Sequence, residues 1–281
     1  MVVQSNTEKI QIPTFVKWAG GKTQLISQYK PLFPKQVKRY FEPFLGSGAV
    51  FFYLKQKFPL MEAHLSDVSK ELINCYSMVR GRRPTLIELL KQHKALHSKN
   101  YYYKVRALDK KSLTNVSRAS RLIYLNKTCF NGLYRVNSKG QFNVPIGDYK
   151  NPGIVREETL NLASKLLRGA KISAGKFEDI ATKARKGDFI YFDPPYMPLS
   201  KTSNFTSYTK NSFDLEDQTR LAELFKRLDK KGCKLMLSNS NLPIMRELYK
   251  GYDIRTVNAR RLISCDPNGR GHIKEVVVRN Y

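Results

Sequence analysis

Two short runs constrain this chain more than anything else in it. Residues 188–193 (DFIYFD) and 234–239 (KLMLSN) are aromatic or aliphatic almost throughout, the pattern of buried central strands. Between them, 214–231 carries Leu215, Leu221, Leu224, Phe225 and Leu228 at the spacing of an amphipathic helix. Strand, helix and strand in that order build a sheet with helices on both faces. The same alternation runs through the first 67 residues. There, 39–44 is a short strand ending at Gly46-Ser47-Gly48, 49–57 is helical, and 63–67 is a second strand. At the far end, 252–259 and 274–281 pattern as paired strands joined by a Gly-rich loop. The fold class is therefore α/β.

Residues 70–156 interrupt this alternation. The first part is helical in character, and 130–151 is rich in Asn, Gly, Tyr and Lys with no long apolar run. The segment holds 18 Lys and Arg against 4 Asp and Glu, a net +14 out of +27 for the whole chain. Half the charge in less than a third of the length suggests an inserted module that meets a polyanion, because each phosphate contacted releases condensed counterions. A basic surface without a specific role is the competing reading. The N-terminal 12 residues are polar and unlike a signal peptide, and no apolar stretch approaches the ~20 residues of a membrane span. Cys75, Cys129, Cys233 and Cys265 form no C-x-x-C pair, as expected of a reducing, cytoplasmic setting without structural zinc. His93 and His97 are four apart, but the Lys-rich stretch around them suggests a solvated helix face, and no metal is expected.

Three motifs carry chemistry. The first is Phe41-Glu42-Pro43-Phe44-Leu45-Gly46-Ser47-Gly48, whose glycines permit a sharp turn and close approach of a ligand at a strand end. Asp67 ends the next strand, where such folds accept hydrogen bonds from a ribose. The phosphate fingerprint G-x-G-x-x-G is incomplete, so a ligand with a ribose and no pyrophosphate fits better, and S-adenosylmethionine is such a ligand. The second is Lys17-Trp18-Ala19-Gly20-Gly21-Lys22, the only Trp of the chain beside two glycines and a Lys that could meet a carboxylate. It is not a phosphate-binding loop of the G-x-x-x-x-G-K-[ST] type. A buried core Trp beside a turn explains it equally well.

The third motif is the most specific. The strand 188–193 ends in Asp193 and meets Pro194, Pro195 and Tyr196 at once. Both prolines fix φ, and neither has an N–H to donate. The loop thus presents a carboxylate and a carbonyl, two acceptors, beside an aromatic ring. An exocyclic amine on a nucleobase is a poor nucleophile because its lone pair is delocalised into the ring. Acceptors on its two N–H bonds favour pyramidal nitrogen, a ring stacks on the base, and the carboxylate suits the positive charge that develops.

These motifs, in this order, resemble the Dam family of DNA adenine-N6 methyltransferases. The resemblance runs from about 15 to 281 through KWAGGK (17–22), FEPFLGSG (41–48), NGLYRVNSKGQFNVP (131–145), YKNP (149–152), FDPPY (192–196), PLSKTSNFTSYT (198–209) and LSNS (237–240). It implies a Rossmann-like, S-adenosylmethionine-dependent methyltransferase core with an inserted, mainly helical plus β-hairpin DNA-recognition domain. The catalytic domain would be 1–69 with 157–281, and the target-recognition domain 70–156. It implies Asp193, Pro194, Pro195 and Tyr196 as the catalytic loop. Trp18, Lys22, Phe44, Gly46, Asp67, Phe177 and Asp193 are the implied cofactor contacts.

On the DNA side, Phe130 matches an aromatic that fills the gap of a flipped base. Asn131 and Arg135 match a recognition hairpin, with Arg135 suited to a guanine edge. Lys150 matches a phosphate contact, and Ser200, Phe205 and Tyr208 match the closure over the extruded adenine. GATC is the expected target, double-stranded DNA the partner, and a monomer the expected state, with a cognate restriction endonuclease in a restriction-modification setting. The chain departs from many relatives at Lys176, where an acid precedes Phe177, and at Asp148, where some carry a base. Asp193 at the head of the loop favours adenine over cytosine N4, whose enzymes commonly have Ser there. The absence of a Pro-Cys dipeptide disfavours cytosine C5. A non-catalytic DNA-binding relative is the remaining rival, disfavoured by the presence of Asp67, Asp193 and Tyr196.

Overall fold

A computed structural model describes residues 10–197, 213–260 and 272–281. Its strands are β1 (Arg39–Glu42), β2 (Glu62–Asp67), β3 (Lys171–Ala174), β4 (Phe189–Phe192), β5 (Lys234–Ser240), β6 (Asp253–Arg260) and β7 (His272–Arg279). They form one sheet in the order β3-β2-β1-β4-β5-β7-β6. The first five run parallel, while β7 is antiparallel to both of its neighbours. The chain steps outward from β1 to β2 to β3, then returns to lay β4 on the other side of β1. This reversal is the topological switch point, and ligands of such sheets bind at the carboxyl ends of the strands there.

Strand periodicity divides the core in two. Tyr40, Leu65, Tyr191, Met236 and Val277 point to one face and join one apolar cluster. Phe41, Ile190, Phe192, Leu235, Leu237 and Val278 point to the other. The second face is covered by α6 (Leu215–Lys230), which buries Leu221, Leu224, Phe225 and Leu228, as its spacing predicts, whereas Leu215, expected on the same face, is exposed in the first turn. Asp214 caps α6 by accepting from the Asp217 amide, and the acids in its first turn suit the helix dipole. The first face receives α1 (Ala49–Lys57), buried from Ala49 to Leu54.

Residues 70–156 fold as α2 (Lys70–Gly81), α3 (Arg83–Ala95), α4 (Lys99–Ala107) and α5 (Asn115–Thr128), followed by an irregular hairpin. Ser69, Ser98 and Thr114 cap three of these helices. Leu72, Leu86, Tyr102 and Ile123 are buried in the same cluster as Tyr40 and Leu65, so this segment shares its core with the first sheet face. The hairpin turns at Asn137 to Gly140 and pairs Val136 with Phe142. The α/β core with a helical and hairpin insert matches the expected class.

One strand is silent in the sequence, and one local expectation changes. The edge strand β3 (KISA) has no apolar run that would announce it, because most of it is exposed. His93 is not on a solvated face. Its ring stacks on Tyr124 at 4.7 Å and its Nδ1 lies 2.8 Å from the Tyr101 hydroxyl. Burial lowers its pKa to about 4. Among the described residues no cluster of His, Cys, Asp and Glu is placed to hold a metal, and no helix is long and apolar enough to cross a membrane.

Candidate active site and cofactor cleft

Asp193 follows β4 at its carboxyl end. The parallel register pairs Phe192 with Leu237, which brings the next residue of β5, Ser238, alongside Asp193. Ser238 Oγ donates to Asp193 Oδ1 at 2.9 Å, and the Tyr191 hydroxyl lies 2.8 Å from Ser238 Oγ. Lys22 Nζ meets the same Oδ1 at 2.8 Å, with side-chain exposures of only 4% for the lysine and 17% for the aspartate. The lysine also donates to the Gly20 carbonyl at 2.7 Å and lies 4.9 Å from the centroid of the Tyr196 ring. One carboxylate oxygen is thus held from two sides. Among the described residues nothing bonds to Oδ2.

The prolines divide similarly. The Pro195 carbonyl accepts from Gln218 Nε2 at 3.1 Å, and Gln218, fully buried, is itself held by Asn239 at 2.9 Å. The Pro194 carbonyl has no partner among the described residues. Toward the described residues the loop therefore presents one carboxylate oxygen and one carbonyl as unspent acceptors, with its geometry locked from behind. Tyr196 is anchored as well, its hydroxyl donating to Glu275 Oε2 at 2.8 Å.

The glycine turn lies at the end of β1, across the switch point. Asp67, at the end of β2, accepts from the Gly46 amide at 3.1 Å and from the Ser69 amide at 2.9 Å. Burial pushes the Asp67 carboxyl above its ordinary range, and those two amides oppose the shift. Glu42 is also buried and bonded to the Tyr40 hydroxyl at 2.8 Å; burial pushes its pKa well up. Gly48 has φ +67°, and a Cβ there would sit 2.7 Å from the Tyr76 hydroxyl, so only glycine fits. A Cβ on Gly46 would lie 3.1 Å from Trp18 Cδ1, so the indole covers the turn closely.

Phe44 stacks on Phe177 at 5.5 Å, and Phe213 closes on both rings at 5.6 and 5.7 Å. A cavity of about 300 Å³ opens beside them, lined by Glu42, Pro43, Ser66, Gly175 and Asp179 among others; Asp193 is not in its wall. Bare turn backbone, buried carboxylates and an aromatic shelf suit a ribose, an adenine and a positive charge. They suit a pyrophosphate poorly.

The basic segment reaches this cleft. Trp18 stacks on Tyr134 of the hairpin at 5.2 Å. Asn126, fully buried, accepts from the Lys17 amide at 2.7 Å and donates to the Lys17 and Gly132 carbonyls, both at 2.8 Å. Phe130 is 49% exposed, unusual for a Phe beside a core. Asn131 has φ +53°, and among the described residues it is the one non-glycine in left-handed backbone. Arg135 is exposed and oriented by Asn143, whose Oδ1 accepts from Nε at 2.8 Å. Lys150 is exposed nearby, whereas Ser200, Phe205 and Tyr208 lie outside the described residues.

The family model for D12 class N6 adenine-specific DNA methyltransferase matches residues 18–263. The chain belongs to this family. This D12-class methyltransferase is 46% identical over 279 residues to a type II methyltransferase of Lactococcus lactis subsp. cremoris, covering 97% of both chains. It is 46% identical to a type II methyltransferase of Methanocaldococcus jannaschii, over 97% of this chain and 100% of that one. It is 35% identical to the DNA adenine methylase of Escherichia coli K12, over 94% of this chain and 93% of that one. The D12-class chemistry is S-adenosylmethionine-dependent methylation of adenine in DNA, and the Rossmann-like sheet is the frame for it.

The structure brings Lys22, expected among the cofactor contacts, onto Asp193 and Tyr196, and sets Trp18 against Gly46, whose amide bonds to Asp67. Sequence reasoning missed Ser238, Gln218, Glu275, Asn126 and Phe213. Ser238 stood inside a quoted motif, LSNS, without a role. Glu275 carried one available signal, a lone acid directly before three consecutive valines, 276–278.

Proposed function

We propose that this methyltransferase transfers a methyl group from S-adenosylmethionine to N6 of an adenine flipped out of duplex DNA, within the sequence GATC. The observation that carries the reading is the state of Asp193. Lys22 and Ser238 hold Oδ1, while Oδ2 and the Pro194 carbonyl, without partners among the described residues, remain to accept the two N–H bonds of an exocyclic amine. Acceptors fixed in advance cost no reorganisation when charge develops on the nitrogen. Tyr196 offers its ring as the surface on which the base stacks. S-adenosylmethionine supplies an electrophilic methyl group on a positively charged sulfur. Phe44, Phe177, Gly46, Asp67, Trp18 and the neighbourhood of Asp193 would hold it. After transfer, the amine proton passes to Asp193 Oδ2 or to water.

Residues 70–156 act in this reading as the target-recognition domain, and 1–69 with 157–281 as the catalytic domain. Arg135, already aimed by Asn143 through Nε and Nη2, reads a guanine edge with Nη1 and the remaining Nη2 proton. Exposed Phe130, fixed by the strained Asn131, fills the gap that base flipping leaves. Lys150 takes a phosphate, and Ser200, Phe205 and Tyr208 close over the extruded base. The type II methyltransferases to which the chain is similar favour a restriction-modification setting with a cognate endonuclease, and the enzyme works as a monomer.

Asp193→Ala tests the central assignment. Methyl transfer to a GATC duplex should vanish while DNA binding by gel shift stays measurable; full turnover by that variant would overturn the assignment.

A further inference from the structure

Glu275 has no part in the chemistry described so far, yet it lies against it. It sits on β7 where that strand pairs with Ser240 at the carboxyl end of β5. Its carboxylate is buried, at 6% exposure, on a strand whose next three residues are valines. Burying an acid there is costly unless it is paired. Its hydrogen-bond partner among the described residues is the Tyr196 hydroxyl, 2.8 Å from Oε2. Burial pushes its pKa up, while the nearby Lys22 ammonium and the Tyr196 hydroxyl pull it back. Lys22 in turn faces the Tyr196 ring and the Asp193 carboxylate. One buried cation therefore stands among two carboxylates and a ring. Core packing alone would be served better by another valine.

The geometry points to Glu275 as a positioning residue for methyl transfer: it fixes the Tyr196 ring through the phenol hydroxyl and stands as a second counter-charge to Lys22. A tyrosine ring at a loop is free to swing about χ1 and χ2; tethered at the hydroxyl as well, it is held at both ends. The second counter-charge keeps Lys22 in place when Asp193 is neutralised by the amine proton. Glu275 touches neither base nor methyl donor, and acts through Tyr196 and Lys22. The inference rests on the adenine-methylation reading.

The test is a double-mutant cycle on the full chain with Glu275→Gln, Glu275→Ala, Tyr196→Phe and the combinations. Readouts are single-turnover methylation of a GATC duplex, KM for DNA, thermal melting, and 2-aminopurine fluorescence at the target adenine. Glu275→Ala and Tyr196→Phe should each slow single turnover about tenfold, the size expected for one hydrogen bond to a charged acceptor, with KM for DNA within about twofold. Glu275→Gln keeps an acceptor for the hydroxyl and should recover part of that loss. In the Tyr196→Phe background, both Glu275 substitutions should lose most of their effect.

Additive losses would overturn the inference, as would Glu275→Gln equal to wild type together with an unaltered Glu275→Ala. If Glu275→Ala fails to fold, Glu275→Gln with and without Tyr196→Phe still decides the cycle. An inactive wild-type enzyme would instead sink the underlying reading.

Discussion

Replacing Lys22 by Met keeps the length of the side chain and removes its charge. The ammonium makes three contacts: Asp193 Oδ1 at 2.8 Å, the Gly20 carbonyl at 2.7 Å, and the Tyr196 ring at 4.9 Å. Without it, among the described residues Asp193 keeps Ser238 and Glu275 keeps Tyr196. Removing one partner of a buried ion pair costs about 3–5 kcal/mol, because the other charge stays behind uncompensated. At 17% exposure the remaining aspartate can recruit water, which puts Lys22→Met near the lower end, about 3 kcal/mol. Asp193→Asn strands the lysine instead, at 4% exposure, with Glu275 as residual compensation, and should cost a similar amount. The double variant should be far from additive, with a coupling of about 2 kcal/mol. Urea unfolding of the four proteins measures this directly. In single-turnover assays, Lys22→Met should slow methylation about a hundredfold, since Asp193 is then free to turn Oδ2 away from the amine. A stability loss under about 1 kcal/mol with additive effects would refute the assignment of Lys22 as the residue that holds Asp193.

Three further outcomes follow from the geometry. Gly48→Ala forces a side chain into left-handed backbone against the Tyr76 hydroxyl, and should cost about 2 kcal/mol in melting experiments and weaken cofactor binding by calorimetry. Arg135→Ala should erode discrimination at one guanine by about 1–3 kcal/mol, read as the ratio of methylation rates on GATC and on a duplex changed at that guanine, with Asn143→Ala giving a smaller loss in the same direction. His93 has a folded pKa of about 4 against 6.5 for a free imidazole. The unfolded chain therefore binds the extra proton between those values, and stability should fall as pH drops from 6.5 to 4; His93→Phe, which keeps the stack on Tyr124, should flatten that dependence in pH-resolved melts.

Central strands and their connecting helix were legible because burial on two faces leaves a composition that little else explains. The run 188–193 became β4 at Phe189–Phe192, and 214–231 became α6 at Leu215–Lys230. The strand β3 was not legible, because an exposed edge needs no apolar residues. At the site, residues whose chemistry is unusual for their position stood out: an acid between a buried strand and two prolines, and glycines before a carboxylate. Their supports did not. Ser238 is 45 residues from Asp193, and Glu275 is 79 from Tyr196; each acquires its role only when parallel or antiparallel register brings it alongside. Asn126 is similar, being an ordinary helix residue until it meets the Lys17 backbone 109 residues away. His93 misled because its neighbours in sequence are lysines while its neighbours in space are Tyr101, Tyr124 and Ser120.

The most direct measurement is to incubate the purified enzyme with methyl-labelled S-adenosylmethionine and an unmethylated duplex containing one GATC, then digest the DNA to nucleosides and separate them. Label should appear on N6-methyladenine, at the GATC adenine, and should disappear with Asp193→Ala. Label on cytosine, or none at all on any duplex, would contradict the account of Asp193 and Pro194 as acceptors for an adenine amine.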